Sequence, residues 1–62
     1  MDLTVKVSLQ DHTTEEYARK LGRAIAAQVK EGVGNLSASP IDKVNVVMND
    51  NDGNDLGIQA FA

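Results

Sequence analysis

The N-terminal segment of the chain alternates apolar and polar side chains. Between positions 3 and 9 every second residue is Leu or Val, and the residues between them are Thr, Lys and Ser. A period of two is typical of a β-strand with one buried face. Two more strands are predicted further along. Residues 41–49 are rich in β-branched side chains and indicate a more buried strand, and residues 54–62 alternate again, with Leu56, Ile58 and Ala60 on one face.

A helix is predicted between the first two strands. Thr13 and Glu16 fit a capping box, in which a hydroxyl and a carboxylate each bind a free amide, so the helix should begin near Thr13 or Thr14. It should end within residues 30–35, where two glycines suit a left-handed cap. One face carries large residues at helical spacing and a row of small residues beside them, which predicts that the helix lies on a sheet: Tyr17, Leu21, Ile25 and Val29, then Ala18, Gly22 and Ala26.

Gly22 is the one glycine in the middle of this helix. Glycine there costs about 1 kcal/mol relative to alanine. Either a neighbouring backbone comes too close for a side chain, or the helix tolerates a defect, and the sequence supports both interpretations equally.

These elements predict an α+β fold in one domain, residues 1–62. The order is a βαβ unit followed by a C-terminal hairpin strand, and the helical connection makes the first two strands parallel. One helix covers one face of a small mixed sheet. Because 62 residues form only a small core and the chain has no cysteine, we expect homo-oligomerisation to complete the fold.

The segment between the last two strands reads NDNDGND, residues 49–55. A calcium loop with Gly53 in its sixth position would place Met48 first and Gln59 twelfth, and neither residue supplies the required carboxylate. Asp52-Gly53 between two strands instead predicts a hairpin turn. We therefore predict no metal site, and the carboxylates of Asp50, Asp52 and Asp55 become candidates for contacting another protein.

Composition narrows the remaining choices. A net charge of −3 disfavours nucleic-acid binding, and a single histidine without cysteine cannot build a zinc site. We find no motif for a cofactor. No apolar run is long enough for a membrane span and the N-terminus lacks the pattern of a secretory signal, so a cytoplasmic protein without membrane association is expected.

The C-terminal half, SPIDKVNVVMNDNDGNDLGIQA, resembles the 4-oxalocrotonate tautomerase family in its loop proline, its V-x-V strand and its downstream Gly-Ile pair. The opening MDLTVKVSL is similar to the family's first strand. The resemblance covers most of the chain, with about five extra residues between the helix and the second strand. It implies small βαβ subunits that use an N-terminal proline as a general base and arginines to bind the substrate carboxylate.

The sequence departs from the family at its functional positions. In the same register, Asp2 stands where the family has the proline, His12 and Asn45 stand at arginine positions, and Leu56 replaces an aromatic residue of the pocket. These four residues are the site positions that the resemblance implies. Asp2 provides no amine, so the general base is missing.

Two functions remain. One is a small oligomeric protein-interaction module on a tautomerase-like scaffold, such as an inhibitor encoded by a phage or mobile element. Its acidic hairpin would meet a basic protein surface, although carboxylates that serve solubility alone are the simpler alternative. The other is a tautomerase-like isomerase subunit, either degenerate or active only beside a proline-bearing partner subunit. The missing proline favours binding over catalysis.

Overall fold

A computed structural model describes residues 1–62 of the chain. It contains four elements in β-α-β-β order: strand β1 (Asp2–Ser8), helix α1 (Glu15–Gly34), strand β2 (Lys43–Asn49) and strand β3 (Asp55–Phe61). The predicted α+β architecture, with one helix and a mixed sheet, is confirmed.

The sheet has three strands in the order β1-β2-β3. Strand β1 runs parallel to β2, with Val5 aligned to Val46, and β3 runs antiparallel to β2, with Ala60 aligned to Val46. The parallel pair follows from the helical crossover, because parallel neighbours cannot be joined by a short hairpin. Both outer strands, β1 and β3, are edges of the sheet.

The helix begins one residue later than a capping box at Thr13 requires. The N-cap is Thr14, whose hydroxyl accepts a hydrogen bond from the Tyr17 N–H at 3.1 Å. The Thr13 hydroxyl instead donates to the Gln10 carbonyl at 2.6 Å. The predicted pairing of Thr13 with Glu16 is therefore wrong, although the start of the helix is correct within a residue.

The prediction of a glycine cap at the other end is also wrong. The helix continues through Gly34, and the C-cap is Asn35 at φ −82°, which is ordinary right-handed backbone. The Asn35 N–H donates to the Glu31 carbonyl at 3.2 Å, so a last helical bond satisfies this carbonyl. Neither Gly32 nor Gly34 has a positive φ.

The core lies between the helix and β2 and β3. Ala18 and Ala26 of the small-residue row are buried against the sheet, and the central strand contributes the largest buried side chains, as its β-branched composition predicts: Val44, Val46 and Met48. The small residues let the helix approach closely. A Cβ atom placed on Gly22 would lie 3.0 Å from the Met48 methyl carbon and 3.3 Å from Ala60 Cβ. Side chains of the sheet, rather than a neighbouring backbone, therefore make this close approach.

Two apolar residues that the patterns placed on buried faces are exposed. Tyr17 retains 59% of its accessible surface, because it lies at the margin of the helix face, and Leu56 retains 44%. A register shift interrupts the β2–β3 pairing between Met48 and Asn49, and Gly57 has φ +73°. Since a bulge disturbs the alternation of side chains, Leu56 does not join Ile58 in the core.

The helix is not long and apolar enough to cross a bilayer.

Candidate functional site

Two of the four family positions lie on the sheet face opposite the helix. Asp2 is aligned with Lys43, and Asn45 is aligned with Thr4 one step further along the same strands. The Lys43 ammonium lies 4.4 Å from the centre of the Phe61 ring, a cation–π contact. The side-chain oxygen of Asn45 is buried and accepts no hydrogen bond. No amine or imidazole side chain that could act as a neutral base accompanies Asp2 and Asn45 on this face.

The other two positions lie at the far end of the sheet. His12 follows β1 in an exposed turn at φ +67°, a conformation that histidine adopts more readily than most residues. Leu56 is the second residue of β3 and borders a shallow depression of about 300 Å³ at the start of the helix. A seven-residue strand spans about 20 Å. Within one chain, Asp2 and Asn45 therefore lie far from His12 and Leu56 and cannot share a pocket with them.

A second depression, of about 240 Å³, lies beside the first on the helix surface, lined by Thr14, Glu16, Tyr17 and Lys20. Neither depression includes His12 or Asp2. Nowhere does the structure bring together three side chains from the set of His, Cys, Asp and Glu in a metal-binding arrangement.

The Met1 amino group lies one residue before the position of the family's base. It donates a hydrogen bond of 2.6 Å to the Asp42 carboxylate. This bond raises the pKa of the amine above its ordinary value of 8.0 and lowers the pKa of Asp42. The Asp42 backbone carbonyl also accepts from the Lys30 ammonium. At neutral pH the amine is therefore cationic, and it cannot accept a proton from a substrate.

The acidic hairpin, residues 49–55, is a turn as the sequence predicts. Gly53 adopts φ +88° and donates its N–H to the Asp50 carbonyl at 3.1 Å. The Asp50 carboxylate closes the turn by accepting from the backbone N–H groups of Asp52 and Asn54, both at 2.9 Å. The Asp55 carboxylate accepts from the Gly57 N–H at 2.7 Å. Two of the three candidate carboxylates thus hold the backbone, and only Asp52 has no intramolecular hydrogen bond to its side chain.

Asp50 provides a pH-dependent test of this turn. Hydrogen bonds, chiefly from the Asn54 N–H, lower the pKa of Asp50 below its ordinary value of 3.8. A carboxyl whose pKa is lower in the folded state stabilises that state above the unfolded-state pKa, and this contribution is lost as pH falls through the folded-state pKa. Asp50→Asn should therefore melt below wild type at pH 7, with the difference shrinking below pH about 3.8.

Thermal denaturation followed by circular dichroism at pH 7, 4 and 2.5 measures this difference. Asp52→Asn is the matched control, because it removes the same charge from the same turn without removing an acceptor. Equal melting temperatures for the two variants at pH 7 would contradict the structural role of Asp50.

The sequence did not indicate that the edge strand β1 would lie outside the area over which the helix packs. The helix lies over β2 and β3 and not over β1. As a result the apolar row of β1 stays only half-buried: Leu3, Val5 and Val7. The alternation of β1 predicted a buried face, but it could not show which strands the helix would cover.

Comparison with models of protein families, with curated proteins and with solved structures finds no match. The resemblance to the 4-oxalocrotonate tautomerases thus rests on the residues that suggested it. Three surfaces of the molecule are candidates for binding: the β1 edge of the sheet, the acidic hairpin and the sheet face opposite the helix.

Proposed function

We propose that this protein is a small homo-oligomeric protein-interaction module. The observation that carries the proposal is the position of α1, which packs over β2 and β3, so that the apolar row of β1 stays only partly buried. The core is small, with only ten buried residues out of 62. Association that covers this row adds the burial that so small a core lacks.

The acidic hairpin supplies a second surface suited to a protein partner. Its backbone is fixed by the Asp50 and Asp55 carboxylates, so the exposed Asp52 is presented from a defined turn. Carboxylates concentrated at one tip of the molecule attract a basic surface and speed its encounter. An inhibitor encoded by a phage or mobile element would use the hairpin in this way.

A tautomerase-like isomerase is the alternative, and the geometry supports it less well. Such an enzyme needs an amine that is neutral near pH 7, whereas the Met1 amine is bonded to Asp42 and its pKa is raised. The four family positions also lie at two ends of the chain's own sheet. An isomerase built on this chain would have to take its base and its cations from a partner subunit.

The proposal predicts self-association at micromolar concentration. Size-exclusion chromatography with light scattering should give a mass at least twice that of the 62-residue chain at about 50 μM, and the melting temperature should rise with protein concentration, as mass action requires. A dilution series provides the control, because an oligomer dissociates on dilution and an aggregate does not. A monomer at every concentration with a concentration-independent melting temperature would overturn the proposal.

A further inference from the structure

The two edges of the sheet differ in their ability to accept another strand. On β3, Gly57 has φ +73° and its N–H is already bonded to the Asp55 carboxylate at 2.7 Å. A register shift disturbs the same part of the β2–β3 pairing. Bulges and charged side chains of this kind protect natural edge strands from unwanted pairing. The β3 edge is therefore blocked at its hairpin end.

The β1 edge has neither a bulge nor a residue with positive φ. Its pairing with β2 runs without interruption from Asp2 to Ser8. The Leu9 N–H donates to the Asn49 carbonyl at 2.9 Å, so by alternation the odd-numbered residues of β1 direct their backbone groups toward β2. The even-numbered residues direct their N–H and C=O groups outward, where another strand can bond them: Asp2, Thr4, Lys6 and Ser8.

We propose that β1 pairs antiparallel with β1 of a second copy, about a two-fold axis at Thr4. This inference deepens the proposed function by naming the partner and the register. With Thr4 on the axis, Asp2 lies opposite Lys6 of the partner subunit, and by symmetry Lys6 lies opposite the partner's Asp2. The edge is thus complementary in charge to itself, and two ion pairs form across the new ladder.

The neighbouring registers that keep the same backbone alignment lack this complementarity. With Val5 on the axis, Asp2 would face Ser8 and Lys6 would face Thr4, so that no ion pair forms. With Lys6 on the axis, two ammonium groups would face each other, which is destabilising. Of these three registers, only the one centred on Thr4 pairs opposite charges, so electrostatics favours it.

The other face of the same alignment is apolar. In the Thr4 register, Leu3 lies opposite Val5 of the partner subunit and Val7 lies opposite the partner's Met1. Leu3, Val5 and Val7 are partly buried residues of β1, over which the helix does not lie, and Met1, just before the strand, is exposed. Aliphatic cross-strand pairs on one face and ion pairs on the other support the same register. A second copy of this chain thus fits the β1 edge on both faces.

Charge reversal tests the register directly. Asp2→Lys creates two Lys–Lys pairs across the axis and Lys6→Asp creates two Asp–Asp pairs, so each variant should weaken the dimer Kd about tenfold. The double variant Asp2→Lys/Lys6→Asp restores opposite charges and should return to within about threefold of wild type. Sedimentation equilibrium at low salt, where exposed charges are least screened, measures the four dissociation constants, including that of the wild type.

A matched control and a second measurement complete the test. Glu16 and Lys20 form an ion pair of 3.5 Å on the exposed helix, and Glu16→Lys or Lys20→Glu should leave the Kd unchanged. Since the chain has no cysteine, Thr4→Cys should oxidise to a disulfide-linked dimer, because facing Cα atoms about 5.5 Å apart suit a disulfide. Lys20→Cys should not.

The outcomes separate this inference from the proposed function. If the wild-type protein associates, but the double variant is no tighter than the single variants and Thr4→Cys stays unlinked, then the β1 register is overturned while the interaction module stands. If the protein is monomeric throughout, both are overturned. Restoration by the double variant together with Thr4 cross-linking supports both.

Discussion

Met48→Ala should cost about 2–5 kcal/mol of folding stability, which is comparable to the whole stability expected of a domain this small. Met48, near the end of the central strand β2, is completely buried, and its methyl group lies under the helix at Gly22. Truncation would remove that contact and leave a cavity in the core cluster. Most of the protein should therefore be unfolded or close to unfolding at 25 °C.

Urea denaturation followed by circular dichroism, at one fixed protein concentration, measures this loss. Leu36→Ala is the matched control, because Leu36 retains 64% of its accessible surface and its truncation should change stability by no more than about 0.5 kcal/mol. A Met48→Ala variant that unfolds at the wild-type urea midpoint would show that this side chain is not the centre of the core.

The strand and turn elements were predictable because their signals are local. Alternation over residues 3–9 is a property of one strand, and the Asp52-Gly53 turn depends on the φ preference of one residue, which Gly53 fulfils at +88°. The parallel pairing of β1 and β2 followed from the helix between them. Each of these conclusions needed only neighbouring residues and a general rule of chain connection.

Capping and exposure were less predictable because they depend on competing contacts. Two adjacent threonines offered the same hydroxyl, and the bond from Thr13 to the Gln10 carbonyl left Thr14 as the N-cap. The alternation of β3 failed at Leu56 because a register shift in the β2–β3 pairing and the positive φ of Gly57 disturb the start of that strand. No pattern of apolar residues contains this information.

The candidate site shows the same division. The family register assigned roles to Asp2, His12, Asn45 and Leu56 by alignment alone, and the structure places two of them at each end of the sheet. Sequence reasoning identified the acidic hairpin but did not distinguish Asp50, which closes the turn, from Asp52, which is free. It missed the uncovered edge of β1. Tertiary packing decides over which strands the helix lies, and a local sequence pattern does not contain this information.

Gly22→Leu should destabilise the fold by about 1–3 kcal/mol, even though leucine is the better helix former. A Cβ atom at position 22 already lies 3.0 Å from the Met48 methyl carbon and 3.3 Å from Ala60 Cβ, and the remaining leucine atoms would enter space that these side chains fill. The helix would have to move away from β2 and β3. Urea midpoints, compared at one protein concentration, report the change.

Gly32→Leu gives the opposite sign and so controls for helix propensity. Gly32 is in the same helix, but a Cβ atom there has no neighbour within 4 Å, so the change should stabilise by about 0.5–1 kcal/mol. Combining Gly22→Leu with Met48→Ala tests the contact itself, since the leucine can occupy the volume that methionine vacates. The double variant should be more stable than the sum of the two single losses by about 1 kcal/mol or more. Strict additivity would mean that position 22 and Met48 do not share this space, and the helix would then lie elsewhere on the sheet.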